Sequence, residues 1–137
     1  MNKEIRNLLF ESYFYLAWAR ILKIKPFSKI SPSLGEQMKE TTFTTSEDNR
    51  KILSDVSNSI YRMSRYTFWE SECLVKAIAA MKMLERRQIE STLYLGTAKD
   101  KSGKLVAHAW LRSGPYYITG KETMDRFTVV SKFAKNV

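Results

Sequence analysis

The spacing of the apolar residues changes near residue 90, and this change limits the folds that the chain can adopt. Before it, Ile52, Val56 and Ile60 recur at a spacing of four, as residues on one face of a helix do. After it, short runs rich in aromatic and β-branched residues are separated by turn sequences such as KDKSGK at 99–104, which is typical of strands. Helices followed by an antiparallel sheet predict an α+β fold.

Three helices are predicted before the change. The first covers the apolar run Leu8–Leu22, and because its apolar residues do not form one narrow stripe, we expect it to bury more than one face. The second starts at Ser46 and ends between residues 65 and 68. The third begins at Ser71, a favourable N-cap residue, and stops near Arg87.

The remaining segments complete the predicted organisation. Residues 23–45 contain two prolines and a glycine and are expected to form an irregular connector. The predicted strands are 91–98, 105–112, 116–119 and 126–133. The last segment is either a strand throughout or a strand that leads into a short terminal helix. The chain is thus expected to divide into residues 1–45, a helix and connector, and residues 46–137, the core domain.

Composition excludes several classes of protein. The length, 137 residues, is that of one ordinary domain. The single cysteine cannot form an internal disulfide, so a reducing compartment is favoured and a cytoplasmic location is expected. The apolar N-terminal run is broken by Glu11 and Arg20, which argues against a transmembrane segment, and it lacks the small-residue cleavage site of a secretory signal.

The net charge of +9 does not by itself indicate nucleic-acid binding. The Lys and Arg residues are spread along the chain, without a run of five and without a recognised nucleic-acid motif. A basic surface also suits an acidic peptide partner, because it attracts such a partner over a distance. We therefore expect no nucleic-acid partner.

The only cysteine and the only histidine are candidate catalytic residues. Cys73 falls in the first turn of the third predicted helix, where unpaired backbone N–H groups and the positive end of the helix dipole favour a thiolate. The same N–H groups can bind an oxyanion that forms next to the sulfur. His108 lies in mid-strand, and Trp110 shares its face of the strand. Papain-like and transglutaminase-like folds use this arrangement of cysteine and histidine.

Structural roles are the alternatives for both residues. A single cysteine is often a small buried apolar residue, and a histidine in a strand is often a structural one. One cysteine and one histidine fall short of the four ligands of a tetrahedral zinc site, so no metal and no other cofactor is expected.

Four motifs follow one another along the chain, and they are Cys73-Leu74, Leu84 to Arg87, Leu93 to Gly96 and His108 to Trp110. By this order and spacing, residues 60–133 resemble the leader peptidase of lasso-peptide biosynthesis, the peptidase half of the split B protein. That family looks like a compact transglutaminase-like, or papain-like, cysteine protease. The resemblance implies that residues 46–137 form a transglutaminase-like cysteine peptidase core.

The resemblance also implies roles and partners. Cys73 would be the nucleophile, and His108 the general base and acid, of a cysteine endopeptidase. It would remove the leader from a ribosomally made lasso-peptide precursor and free the core N-terminus for macrolactam formation. A separate leader-recognition protein would present the precursor, and a macrolactam synthetase, the cyclase, would use the freed amine. An acyl transferase of the same fold and a non-enzymatic peptide-binding module are the alternatives.

The third member of a catalytic triad is left open. Many members of the resembling family place an aspartate after the histidine, at a position close to Gly120 here. If Ser113-Gly114 is a two-residue turn, Thr119 faces His108 across the hairpin, and threonine carries no charge. The remaining candidates for orienting the imidazole are Glu122, Asp125 and a backbone carbonyl.

Overall fold

The computed structural model describes residues 2–66 and 72–137, which form α-helices, a 3-10 helix and a five-stranded sheet. The elements in chain order are α1 (Lys3–Leu22), α2 (Phe27–Leu34), β1 (Glu36–Gln37), α3 (Glu47–Ser64), α4 (Cys73–Arg86), β2 (Ser91–Lys99), β3 (Leu105–Ser113), β4 (Tyr116–Thr119), the 3-10 helix (Lys121–Arg126) and β5 (Thr128–Lys135). The helices precede most of the sheet, and its neighbouring strands are antiparallel. The predicted α+β class is confirmed.

α4 is the central helix of the domain. The strand order of the sheet is β1-β5-β2-β3-β4, and α4 packs against β2, β3 and β4. α1 and α3 cover the other side of α4. The helix is therefore buried nearly all round, through Val75, Ala77, Ile78, Ala79, Ala80, Met81, Met83 and Leu84.

α1 buries one face, not the several faces that the sequence predicts. Ser12, Leu16 and Ala19 are buried, on the side that meets α3 and α4. Phe10 and Phe14 are 70% and 62% exposed. The prediction is wrong because the apolar residues of α1 form two stripes, and only one of them meets the rest of the protein. Within residues 2–66 and 72–137, no helix has both the length and the apolar character of a membrane span.

Ion pairs fix α1 to the end of α4. Glu11 accepts hydrogen bonds from Arg87 at 2.5 Å and from Arg86 at 2.8 Å. Burial raises the pKa of Glu11, but the hydrogen bond and charge of Arg87, together with those of Arg86, outweigh burial and hold the pKa below its usual range. The carboxylate is therefore ionised at neutral pH, and α1 is held on the domain by charge as well as by its buried face.

The connector contains regular structure, so the prediction of an irregular segment is wrong. In α2, Ile30 and Leu34 lie one turn apart and are both buried. Their burial outweighs the helix hydrogen bond that Pro32 cannot make. Gly35 follows in the left-handed region of φ, so close to β5 that a Cβ atom would overlap the carbonyl oxygen of Ala134. β1 then pairs with β5.

α3 and the strands β2 to β5 follow the sequence prediction. Ser46 caps α3 by accepting a hydrogen bond from the N–H of Asn49. The predicted stripe of α3 faces the core, with Leu53, Val56, Ser59 and Ile60 buried. The last predicted strand is confirmed as β5, which continues to Lys135 without a terminal helix. The division of the chain at residue 45 stays a prediction.

A buried arginine joins the end of the connector to the sheet. Arg112 is 0% exposed, and its guanidinium donates hydrogen bonds to the carbonyl oxygens of Thr41 and Thr42 and to the hydroxyl of Tyr94. Tyr94 donates in turn to Glu40. Burial and the bond to Glu40 raise the pKa of Tyr94 to about 12. This cluster holds the connector against the sheet face opposite α4, since alternate residues of a strand share a face.

Replacement of Arg112 by alanine is expected to lower the free energy of unfolding by about 3–5 kcal/mol, because buried carbonyl and hydroxyl groups lose their donor. Urea denaturation at neutral pH measures the loss. Lys132→Ala is the control, since it removes a partly exposed contact to Glu40 and should cost less than about 1 kcal/mol. Equal losses for the two variants would contradict the role given to Arg112.

Candidate active site

Cys73 is the first residue of α4. Glu72 is the N-cap residue, and its side chain makes no capping hydrogen bond. The predicted N-cap, Ser71, lies outside the described residues. The first N–H groups of a helix have no partner within the helix, and the positive end of the helix dipole lies beside them. The partly buried sulfur of Cys73 therefore occupies a position that stabilises negative charge.

The sulfur also lies at an edge of β3. β4 ends at Thr119, which pairs with Leu111, so β4 does not cover the part of β3 that precedes Leu111. There the backbone N–H of Ala109 donates a hydrogen bond to the Sγ of Cys73 over 3.3 Å. A strand amide that would otherwise pair within a longer sheet is thus directed at the thiol, where it favours the negatively charged sulfur.

This hydrogen bond makes Cys73 a close neighbour of His108. The amide nitrogen of Ala109 is two covalent bonds away from the Cα atom of His108. Standard bond lengths therefore place the Sγ of Cys73 within about 6 Å of that Cα atom. The structure thus places the thiol of Cys73 beside the backbone of β3 at His108 and Ala109.

The imidazole of His108 stacks with two aromatic rings. Its ring centroid lies 5.0 Å from that of Phe127, with 26° between the ring planes, and 6.0 Å from that of Trp110, with 29° between the planes. Trp110 shares a strand face with His108, as its position two residues along β3 predicts. Phe127 comes from the junction between the 3-10 helix and β5. These contacts limit the orientations that the imidazole can adopt.

Gly96 makes room for the aromatic rings. It pairs with His108 across β2 and β3. A Cβ atom at this position would lie 2.8 Å from the ring of Trp110 and 2.9 Å from the Cβ of Phe127. The glycine that ends the Leu-x-Leu-Gly motif therefore lets both side chains close over the sheet beside the imidazole.

The residue opposite His108 differs from the one that the sequence predicts. The hairpin turn is Gly114-Pro115, one residue later than assumed, and a bulge follows Leu111. Thr119 consequently pairs with Leu111, and the prediction that Thr119 faces His108 is wrong. The Oγ1 atom of Thr119 is buried and has no hydrogen-bond partner among the described residues.

Both carboxylate candidates lie in the 3-10 helix. The hydroxyl of Tyr61 donates to the carboxylate of Glu122 over 3.3 Å and accepts the backbone N–H of Gly120 at 2.8 Å. Burial raises the pKa of Tyr61, so its hydroxyl is protonated at neutral pH. Glu122 is thereby directed toward α3, whereas Asp125 is exposed. The residue that orients the imidazole stays open.

Two residues near the site, Phe127 and Tyr61, are not indicated by the sequence motifs. Phe127 reaches His108 only because the 3-10 helix returns the chain over the sheet, and no local pattern indicates this return. Tyr61 has a weak signal, since it follows the core residue Ile60 on α3 and lies at the margin of the predicted buried stripe. Among the described residues, no group of three His, Cys, Asp or Glu side chains could hold a metal ion.

Comparison with protein families identifies one match. A model of the transglutaminase-like superfamily matches residues 13–132. This range runs from α1 into β5 and includes both Cys73 and His108. Comparisons with curated proteins and with solved structures find no match.

Proposed function

Because the chain belongs to the transglutaminase-like superfamily, we propose that it is a cysteine endopeptidase that removes the leader from a ribosomally made lasso-peptide precursor. The fold of this superfamily serves cysteine peptidases and acyl transferases. The choice of a lasso-peptide precursor rests on the motifs from Cys73-Leu74 to His108–Trp110, which resemble those of lasso-peptide leader peptidases. The reaction is proposed to take place in the cytoplasm.

The hydrogen bond between the Ala109 N–H and the Cys73 Sγ is the observation that carries the proposal. It places a thiol at a helix N-terminus and beside the strand that bears the only histidine. A thiolate, an imidazole and free backbone donors are the groups that acyl transfer through a thioester requires. A structural cysteine has no need of this combination.

In the proposed acylation step, the Cys73 thiolate attacks the carbonyl carbon at the end of the leader and forms a C–S bond. Backbone N–H groups at the start of α4 stabilise the oxyanion of the tetrahedral intermediate. As the intermediate collapses, the C–N bond breaks, and the protonated His108 gives its proton to the departing amine. That amine is the new N-terminus of the core peptide.

In the proposed deacylation step, His108 takes a proton from a water molecule that attacks the thioester. The C–O bond forms and the C–S bond breaks, which releases the leader as a carboxylate and restores the Cys73 thiolate. His108 thus alternates between acid and base, and no further reactant is needed.

The proposed partners follow from the same resemblance. A separate recognition protein would hold the leader and present the precursor, and a macrolactam synthetase would use the freed amine. For a test, the precursor and the partner proteins would be taken from the open reading frames next to the one that encodes this chain.

Removal of the recognition protein is expected to lower kcat/KM for the full-length precursor by about a hundredfold, because a tether raises the local substrate concentration to the millimolar range. Most of the loss should appear in KM, since the leader contacts are remote from the reacting bond. Steady-state kinetics with and without that protein measures it. The proposal fails if no mixture of this chain, precursor and recognition protein yields a single cut. Equal rates with and without the recognition protein would contradict the need for that partner but not the peptidase activity.

Alanine substitutions at Thr119, Glu122 and Asp125 test how the imidazole is oriented. We expect that none of the three lowers kcat/KM as much as His108→Ala, because a thiolate already paired with its imidazolium depends less on a third group. The same cleavage assay gives the comparison, with melting temperatures as a check of folding. A loss as large as that of His108→Ala at Glu122 or Asp125 would show that a carboxylate completes a triad.

A further inference from the structure

The outer face of α1 carries a row of exposed apolar side chains. Phe10, Phe14, Ile21 and Ile24 are exposed to 70%, 62%, 65% and 76%, respectively. Together with Ala17, which lies between Phe14 and Ile21, they form a row that we name the outer seam. Ile24 continues the row in the turn after α1. The outer seam points away from the face of α1 that is buried on the domain.

The spacing within the outer seam is that of a helix-packing surface. The intervals between its five residues alternate between four and three, which is the spacing of the a and d positions of a heptad. At 100° per residue the four members of the row that lie within α1 cover an arc of about 60°. Helices that lie in a membrane interface carry a wider apolar face, whereas a narrow a/d stripe is typical of a helix that packs along another helix.

The charges beside the outer seam are positive. Lys3, Arg6, Arg20 and Lys25 flank or extend the row, and no ion pair joins them to other residues in the described ranges 2–66 and 72–137. The acidic residue nearest to the row, Glu11, is already bound by two arginines of the domain. A second copy of this chain would bring like charges together along the row. An acidic partner would instead find four cations that make no ion pair within residues 2–66 and 72–137.

We propose that the outer seam binds an amphipathic helix of an acidic partner protein, with apolar residues at a and d and with Glu or Asp beside them. The buried face and the Glu11 ion pairs hold α1 on the domain, so the row lies on the surface of the folded protein. The proposal does not depend on catalysis by Cys73. It is therefore tested by binding alone.

The probe is a labelled synthetic peptide of about three heptads with Leu at a and d and Glu at e and g. Fluorescence anisotropy with the full chain should show saturable binding. The double variant Phe14→Ser, Ile21→Ser should weaken this binding at least about tenfold, since two apolar side chains leave the interface. The double variant Leu105→Ser, Val130→Ser is the matched control, because these residues are 64% and 55% exposed elsewhere, and it should bind as the wild type does.

A charge reversal provides a second test that leaves the apolar row intact. A peptide with Lys at e and g should not bind the wild type, but it should bind the variant Arg20→Glu, Lys25→Glu. The proposal is overturned if the Glu peptide binds the Phe14, Ile21 variant with wild-type affinity, or if both peptides bind the wild type equally. It is also overturned if sedimentation shows a wild-type dimer that depends on Phe14 and Ile21, or if only phosphatidylserine vesicles bind the row.

Discussion

Cleavage of the precursor is expected to fall by at least about a thousandfold when Cys73 is replaced by alanine, because no other group of this chain in the described site can form the acyl intermediate. The thiol is small and only partly buried, so the fold should survive the change. Mass spectrometry of the precursor after incubation with the variant measures the cleavage, and a thermal melt checks the fold.

Cys73→Ser is the matched control for the thiol. The hydroxyl has nearly the same shape and can accept the Ala109 hydrogen bond, but it is not ionised at neutral pH, so this variant should also be nearly inactive. Cleavage by either variant at more than a few per cent of the wild-type rate would remove Cys73 from the role of nucleophile.

Replacement of His108 by alanine is expected to cost about as much as the loss of Cys73, because the imidazole both protonates the leaving amine and activates water. The double variant Cys73→Ala, His108→Ala should be hardly worse than either single variant, since groups that act as one catalytic unit are strongly non-additive. Cleavage rates of the four proteins, from single-turnover assays, give the comparison.

Val106→Ala is the control for His108→Ala. Val106 lies two residues earlier on β3, shares the strand face of His108 and is also partly buried. This variant should retain most of the activity. If the losses at Cys73 and His108 instead multiply in the double variant, His108 performs a function separate from the thiol.

Much of the fold is readable from the sequence because its signals are local. The apolar residues at a spacing of four in α3 and the turn sequences between the strands mark element type within short windows, and the structure agrees with both. α2 is missed because Pro32 and the nearby Gly35 are local signs of irregular backbone. The burial of Ile30 and Leu34, which overrides these signs, depends on residues far along the chain.

The candidate site, too, is predicted from local sequence only in part. The placement of Cys73 at a helix start and the shared face of His108 and Trp110 follow from local periodicity. The pairing of Thr119 with Leu111 does not follow from local sequence. The bulge after Leu111 shifts the register, and turn length alone does not encode a bulge. The stacking of Phe127 on the imidazole requires the tertiary return of the chain, so no window of sequence contains it.

Arg112 shows a further limit of local patterns. Its position in β3 places it on the face of His108 and Trp110, where a charged residue is usually taken to face solvent. It is fully buried because Thr41, Thr42 and Glu40 come from the connector to satisfy it. These partners come close to Arg112 only in the folded protein, so the sequence around residue 112 does not indicate them.

Cleavage in water enriched in oxygen-18 tests the central claim most directly, because hydrolysis leaves one oxygen-18 atom in the new leader carboxylate, whereas acyl transfer to an amine leaves none. The precursor, the recognition protein and this chain are incubated together, and the leader fragment is analysed by mass spectrometry. The account predicts a leader that carries one oxygen-18 atom in its new terminal carboxylate, a core peptide with a free amine, and neither product with Cys73→Ala. A leader joined to an amine would identify a transferase, and labelled products from the Cys73→Ala variant would contradict the account.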